Sequence, residues 1–146
     1  MHGTRHDDCV FCDIIAGRSE ASVVAESARS MAFLDLRQAH PGHVLVVPRT
    51  HAETILDITA ADAADVMQLA TRVARALQAV LRPDGMNVWQ SNGEAGGQEV
   101  PHFHLHVHPR ATADGLFQVY PEGVPAAAER VVLDRMAERL RVAMSA

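Results

Sequence analysis

The sequence predicts an α+β fold: an antiparallel sheet with one long central helix and a C-terminal helix. Three observations lead there. Short Val- and Leu-rich runs separated by turn residues recur along the chain, residues 60–81 are apolar at helical spacing, and a second helical pattern closes the sequence. The resulting order, strands, helix, strands, helix, suits a sheet with helices set against it.

Residues 1–8 are polar and read as a loose N-terminal tail, and residues 9–146 as a single domain. A chain of 146 residues buries roughly 68–70% of its unfolded surface, enough for a core without disulfide staples. Residues 23–26 and 30–35 read as two short strands flanking a turn. Residues 43–48 (HVLVVP) form a third, bounded by Pro41-Gly42 before and Pro48 at its end. Across residues 60–81, Ala64, Val66, Met67, Ala70, Val73, Ala74, Leu77 and Val80-Leu81 recur at helical spacing, and Pro83 and Gly85 stop the run. Residues 86–91 read as a strand, 92–97 as a glycine-containing loop, and 100–108 as a strand ending at Pro109. Residues 110–124 look irregular. Residues 124–144 read as the second helix, with Val132, Leu133, Met136, Leu140 and Ala143 on one side.

Composition narrows the function. Hydrophobic residues make up 48% and charged residues 21%, as in soluble globular proteins. The formal charge is −5 and no basic stripe is visible, which argues against a nucleic-acid partner. No apolar run approaches the ~20 residues of a transmembrane helix, so no membrane partner is expected. The polar N-terminus lacks a signal-peptide core, which points to the cytoplasm. There Cys9 and Cys12 are not expected to form a structural disulfide.

The sharpest feature is His102-Phe-His104-Leu-His106-Val-His108. Side chains alternate along a strand, so the four histidines share one face, roughly 6.6 Å apart along the chain, and Phe103, Leu105 and Val107 point to the core. A lone histidine on a strand is ordinarily a satisfied polar group. Four on one face call for chemistry, because imidazole is costly to bury without partners. Metal binding and phosphate chemistry are both open on this ground. Cys9-Val-Phe-Cys12 is, alone, half a zinc site, and Gly96-Gly97, alone, an ordinary loop.

The His-φ-His-φ-His pattern, with φ apolar, resembles the signature of the histidine triad (HIT) family. Further blocks match in order: Cys9-Val-Phe-Cys-Asp-Ile-Ile-Ala-Gly17, Phe33-Leu-Asp-Leu36, Pro41-Gly-His-Val-Leu-Val-Val-Pro48 and Gly97-Gln-Glu-Val-Pro-His102. The resemblance covers roughly residues 9–110 and is to the bacterial zinc-containing branch. His108 departs from it, since the family pattern has an apolar residue there.

The resemblance implies a nucleotide hydrolase or transferase acting on the α-phosphate of purine nucleoside phosphoramidates or related nucleoside phosphates. His104 attacks phosphorus and carries a nucleotidyl-histidine intermediate, and water then releases AMP. The chemistry is sound from the residue upward. About three quarters of an unperturbed histidine is neutral at pH 7, and a neutral ring nitrogen can attack and later leave. His106 donates a hydrogen bond to phosphate or leaving group, and His43 lies close to the catalytic histidine. Asp35 resembles the residue that accepts the ribose hydroxyls. Phe11, Ile14, Phe33 and Leu36 resemble the base pocket. Gly97, Gln98 and Glu99 match positions near the phosphate, with Glu99 expected to offer its backbone and turn its carboxylate outward. Ser91 stands where relatives often carry Asn or Gln for the leaving group, and Asn92 is its substitute. The same resemblance completes a structural zinc site from Cys9, Cys12, His51 and His102, and implies a homodimer with joined sheets and the long helix at the interface. The competing readings are a dinucleoside polyphosphate hydrolase and a zinc-containing nucleotide-binding protein without significant turnover.

Overall fold

The computed structural model describes residues 8–116 and 118–145, so the expected tail lies, except for Asp8, outside the described residues. Two compact units are present, one ending at Asp114 and one starting at Gly115.

In the first unit, helix α1 (Val10–Ile15) is followed by strands β1 (Val23–Glu26), β2 (Ser30–Leu34) and β3 (Val44–Pro48). The long helix α2 (Ala60–Leu81), strand β4 (Gly85–Trp89) and strand β5 (Leu105–Arg110) complete it. The strands form one sheet in the order β1-β2-β3-β5-β4, with every neighbouring pair antiparallel.

Alternation along the strands gives the sheet two apolar faces. On one, Ala32, Val44, Val46, Phe103, Leu105 and Val107 pack against Val66, Leu69, Ala70 and Val73 of α2. A fully buried side chain such as Val66 or Leu69 contributes about 1.5–3 kcal/mol. On the other face, Met31, Phe33, Leu45 and Val47 pack with Cys9 and Phe11. The helix α2 starts at Thr59, whose side chain accepts the Asp62 N–H, and ends at Arg82 in the left-handed conformation. Pro41-Gly42 leads the chain over that end. Gly42 has φ +102°, and a Cβ there would stand 2.6 Å from Leu81 Cδ1 and 3.0 Å from Leu77 Cδ2, so the close crossing requires glycine.

The α2 bounds agree with the sequence pattern, and several strand bounds shift by a residue or two. The larger correction concerns the histidine strand. It starts at Leu105, not Val100, and runs on through Pro109 to Arg110. Pairing with β3 spans Val46↔Leu105 to Val44↔Val107, and before Leu105 the chain bends so that the Phe103 N–H reaches the Ala52 carbonyl at 2.7 Å. At the other end β5 pairs with β4 alone, through Met86↔Pro109. One side of the strand there has no ladder partner in β3, which is where a proline is tolerated.

In the second unit, helix α3 (Arg130–Met144) starts six residues later than the pattern suggests. Val124 precedes Pro125, which disfavours helical backbone at that position. Val132, Leu133, Met136 and Leu140 of α3 are exposed. No helix among the described residues is long and apolar enough to cross a membrane.

Candidate active site and metal centre

Antiparallel register sets the site. His106 on β5 lies opposite Leu45 on β3 and opposite Trp89 on β4. The imidazole of His106 stacks flat on the indole of Trp89, with centroids 4.3 Å apart and planes 4° from parallel. Its Nδ1 is 2.9 Å from Nε2 of His43, just ahead of β3. His43 Nδ1 in turn faces Asp35 Oδ2 at 3.6 Å, and Asp35 Oδ1 accepts the Arg37 N–H at 2.9 Å. A chain Asp35–His43–His106 therefore runs along the sheet surface. Burial, then the neighbouring histidines His104, His43 and His108, drives His106 down to about 3, so it is neutral at physiological pH. Burial also lowers His43, against the opposing pull of the Asp35 carboxylate.

His104 immediately precedes β5 and is buried. Its Nδ1 donates to the carbonyl of His102 at 2.7 Å. A carbonyl can only accept, so this bond places the proton on Nδ1 and leaves the Nε2 lone pair unprotonated. Burial keeps the ring neutral by lowering its pKa. Its ring centroid lies 5.1 Å from that of Phe11, edge to face, and 4.8 Å from that of His106. A neutral imidazole with a fixed tautomer and a neighbouring imidazole donor is a competent nucleophile pair.

His108 is buried behind His43, with ring centroids 4.5 Å apart, and its Nδ1 donates to the Pro109 carbonyl at 2.7 Å. Beyond it His40 Nε2 lies 3.4 Å from Asp114, which also binds Arg110. This polar row replaces the apolar contact that the family pattern places at residue 108.

The glycine loop turns at Gly93 and Gly97, both with positive φ. The Gln98 amide closes it: Oε1 accepts the Gly93 N–H at 2.8 Å, and Nε2 donates to the carbonyls of Glu53 at 2.7 Å and Val100 at 3.0 Å. Asn92 Oδ1 accepts the Ile55 N–H at 2.7 Å. These two side chains shape the loop. Ser91 is half-buried beside them, and the Glu99 side chain is 83% exposed, 3.9 Å from Arg37. Phe11 and Phe33 meet edge to face at 5.4 Å in the buried cluster, with Ile14 packed against it. Leu36 does not join them. It lies beyond the end of β2, where the sheet no longer turns it inward, and is 97% exposed.

The second constellation lies where α1 meets the chain leading into β5. Cys9, Cys12, His51 and His102 bring four ligand atoms within 4.8 Å of one another. His102 Nδ1 is 3.4 Å from Cys9 Sγ and 3.5 Å from Cys12 Sγ, and His51 Nδ1 is 3.3 Å from Cys12 Sγ. The His102 Nε2 proton is spent on the Pro48 carbonyl at 2.9 Å, so Nδ1 presents its lone pair to the sulfurs. That is the outer-shell bond a ligating histidine needs. Burial first, then the adjacent Cys9, pushes the Cys12 thiol up to about 12, and a bound cation would reverse this by stabilising thiolate. These four residues could hold a metal ion.

Trp89 carries part of the site and was not singled out from the sequence. It is the one tryptophan of the chain, on the strand next to the histidine strand, and the β4–β5 register is the signal that locates it.

The HIT domain family matches residues 16–113. The adenosine 5'-monophosphoramidase hnt1 of Schizosaccharomyces pombe is 33% identical over 130 residues, covering 84% of this chain and 95% of that protein. The crystal structure of a HIT family protein from Bacillus anthracis superposes with a TM-score of 0.82 at 33% identity, covering 94% of this chain and 97% of the other. A Zn-bound histidine triad family protein from Mycobacterium smegmatis superposes with a TM-score of 0.71 at 30% identity, covering 97% and 99%. With the match extending over all five strands, the histidine strand included, the chain belongs to the HIT domain family.

Proposed function

We propose that this protein is a nucleotide hydrolase that cleaves purine nucleoside phosphoramidates or related nucleoside phosphates at the α-phosphorus and releases AMP. The observation that carries the reading is the His104 tautomer. The bond from Nδ1 to the His102 carbonyl leaves Nε2 as the nucleophile, and His106 stands beside it. The Nε2 lone pair forms a bond to phosphorus as the bond to the leaving amine breaks. His106 supplies the proton to the departing nitrogen. Water then attacks phosphorus, its proton returns to His106, and the phosphorus–His104 bond breaks. Asp35 accepts the ribose hydroxyls, and the Glu99 backbone N–H serves the phosphate, since those of Gly96, Gly97 and Gln98 are spent on carbonyls inside the loop. The fission-yeast relative named as a phosphoramidase supports this substrate class.

Zinc is the metal proposed for Cys9, Cys12, His51 and His102. Tetrahedral zinc with sulfur and nitrogen ligands separates them by about 3.6 Å, close to the 3.3–3.5 Å sulfur–nitrogen distances here, and the Zn-bound mycobacterial relative supports it. When bound it supplies charge neutralisation and a cross-link, with no position left for substrate. A homodimer is proposed as well. β4 is one of the two edge strands, so its outer edge can continue into a second sheet, and the Ala-rich stretch of α2 offers a smooth surface for close packing.

The deciding experiment is a substrate panel of AMP-amidates, dinucleoside polyphosphates and ADP, with product analysis. Release of AMP from the amidates supports the reading. Preference for the dinucleoside polyphosphates, or binding without turnover, would replace it.

A further inference from the structure

His102 faces both constellations at once. Its ring enters the cysteine cluster, with Nδ1 3.4 Å from Cys9 Sγ and 3.5 Å from Cys12 Sγ. Its carbonyl oxygen accepts the Nδ1 proton of His104 at 2.7 Å. One residue thus touches the metal ligands through its side chain and the nucleophile through its backbone.

The sheet does not fix this stretch. The β3–β5 pairing ends at Val46↔Leu105, so His102, Phe103 and His104 lie outside the ladder. What holds them is local. The Phe103 N–H donates to the Ala52 carbonyl at 2.7 Å, the His102 N–H to the Val100 carbonyl at 2.8 Å, and the His102 ring to the Pro48 carbonyl at 2.9 Å. Ala52 adjoins His51, whose Nδ1 is 3.3 Å from Cys12 Sγ. The two segments whose backbones meet at residues 52 and 103 are therefore the same two that a metal would tie together at residues 51 and 102. Neutral thiols are weak hydrogen-bonding groups, whereas metal–ligand bonds fix distance and direction.

We propose that metal occupancy of the Cys9–Cys12–His51–His102 cluster sets the direction of the His102 carbonyl and so orients the His104 ring, making His102 a positioning residue for the nucleophile. The inference rests on the reading of His104 as nucleophile and extends it to control by a site outside the substrate pocket. With the cluster filled, the His102 ring is held at both nitrogens, its carbonyl stays on His104 Nδ1, and Nε2 keeps one direction of attack. With the cluster empty, the His102 backbone regains freedom and the His104 ring samples other orientations and the other tautomer. Misplacing a reacting atom by ~1 Å can cost ~100-fold in rate. Metal removal therefore lowers kcat roughly 10- to 100-fold, with KM changing much less, because Asp35 is held apart from the cluster by the Arg37 N–H.

The test uses the full chain labelled with 15N, compared zinc-loaded and chelator-stripped, with metal content measured for each. Imidazole proton–nitrogen spectra should show His104 in a single Nδ1–H form when loaded. When stripped, its two nitrogens should move towards values averaged between tautomers, while amide signals of Val46 and Val107 stay in place. His51→Cys, which keeps four ligands, should retain both zinc and the His104 signal, and His51→Ala should lose both. An unmoved His104 signal in folded, metal-free protein overturns the proposal, as does a chain that takes up no metal. Should stripping unfold the protein, zinc- and cadmium-loaded forms are compared instead. The longer cadmium–sulfur bonds must shift the His104 signal, and identical spectra overturn the proposal. Trapping the nucleotidyl intermediate on a residue other than His104 would defeat the nucleophile reading, whereas an unmoved ring signal defeats the coupling alone.

Discussion

Nε2 of His43 lies 2.9 Å from Nδ1 of His106, and this one bond constrains how His106 can work. To give a proton to a leaving group from Nε2, His106 must accept at Nδ1, so His43 must be the donor. The other nitrogen of His43 then faces the Asp35 carboxylate at 3.6 Å, an arrangement favourable when His43 carries a second proton. An anionic substrate favours that protonated form, and burial opposes it. His43 and His106 therefore act as one unit. His43→Ala should lower kcat by about 10²-fold, the lower range for a positioned acid–base group. The double variant with His106→Asn should be little worse than the poorer single, since residues acting as a unit are non-additive. Steady-state kinetics of the four proteins checks this, and multiplicative losses would count against it.

The outline of this site was legible in sequence because alternation is local information. Phe103, Leu105 and Val107 do face α2, as the period of two implies. The ladder, by contrast, depends on where a partner strand stops, and β3 pairs with β5 only as far as Leu105. Within residues 100–104 the one signal of that is Pro101, which has no N–H to give a ladder. Asp35 and His43 could be nominated separately, but their contact with each other and with His106 needs the β2–β3–β5 register. Trp89 required the β4 register too. Leu36 was nominated by its resemblance to the base pocket, and its exposure follows from β2 ending at Leu34.

Zinc content tests the cysteine cluster directly. Protein prepared without added metal should contain close to one zinc per chain by elemental analysis. Cys9→Ser/Cys12→Ser should contain none and should melt at a lower temperature, because the site ties α1 to the chain entering β5. Unchanged zinc in that variant would show that the metal is held elsewhere.

Stability should fall in mild acid. The folded pKa of His106 is pushed down to about 3, against about 6.5 for the unfolded chain. Between these values the unfolded state binds more protons, so its contribution is fully present above pH 6.5 and is lost as pH falls towards 3. Burial lowers His104 and His43 in the same direction. Urea unfolding at pH 7.5 and pH 5 should show this loss, with a smaller pH difference in His106→Asn. Zinc measured at both pH values separates imidazole protonation from metal release. A variant slope equal to that of wild type would contradict the assignment.

The open edge of β4 and the exposed side of α2 predict self-association. Light scattering at low micromolar concentration should give about twice the 15.8 kDa chain mass. Val88 on that edge is exposed in the single chain, and Val88→Pro removes a backbone donor while adding a ring that cannot join a ladder. The variant should shift the equilibrium towards monomer. A monomeric wild type would remove the proposal.

The strongest demand falls on His104. Its Nδ1 is committed to the His102 carbonyl, so its one free lone pair is on Nε2, and burial keeps that lone pair unprotonated. His104→Asn removes the nucleophile while retaining a side chain of similar polarity. Hydrolysis should fall by at least about 10³-fold, whereas AMP affinity should change by only a few fold, because Asp35 and the glycine loop still engage the nucleotide. His106→Asn should cost less, since it removes a proton donor and not the attacking atom. With a slow amidate substrate, wild type should accumulate an acid-labile nucleotidyl adduct, and the His104 variant none. Near-normal turnover by that variant, or an adduct mapping to another residue, would overturn the mechanism.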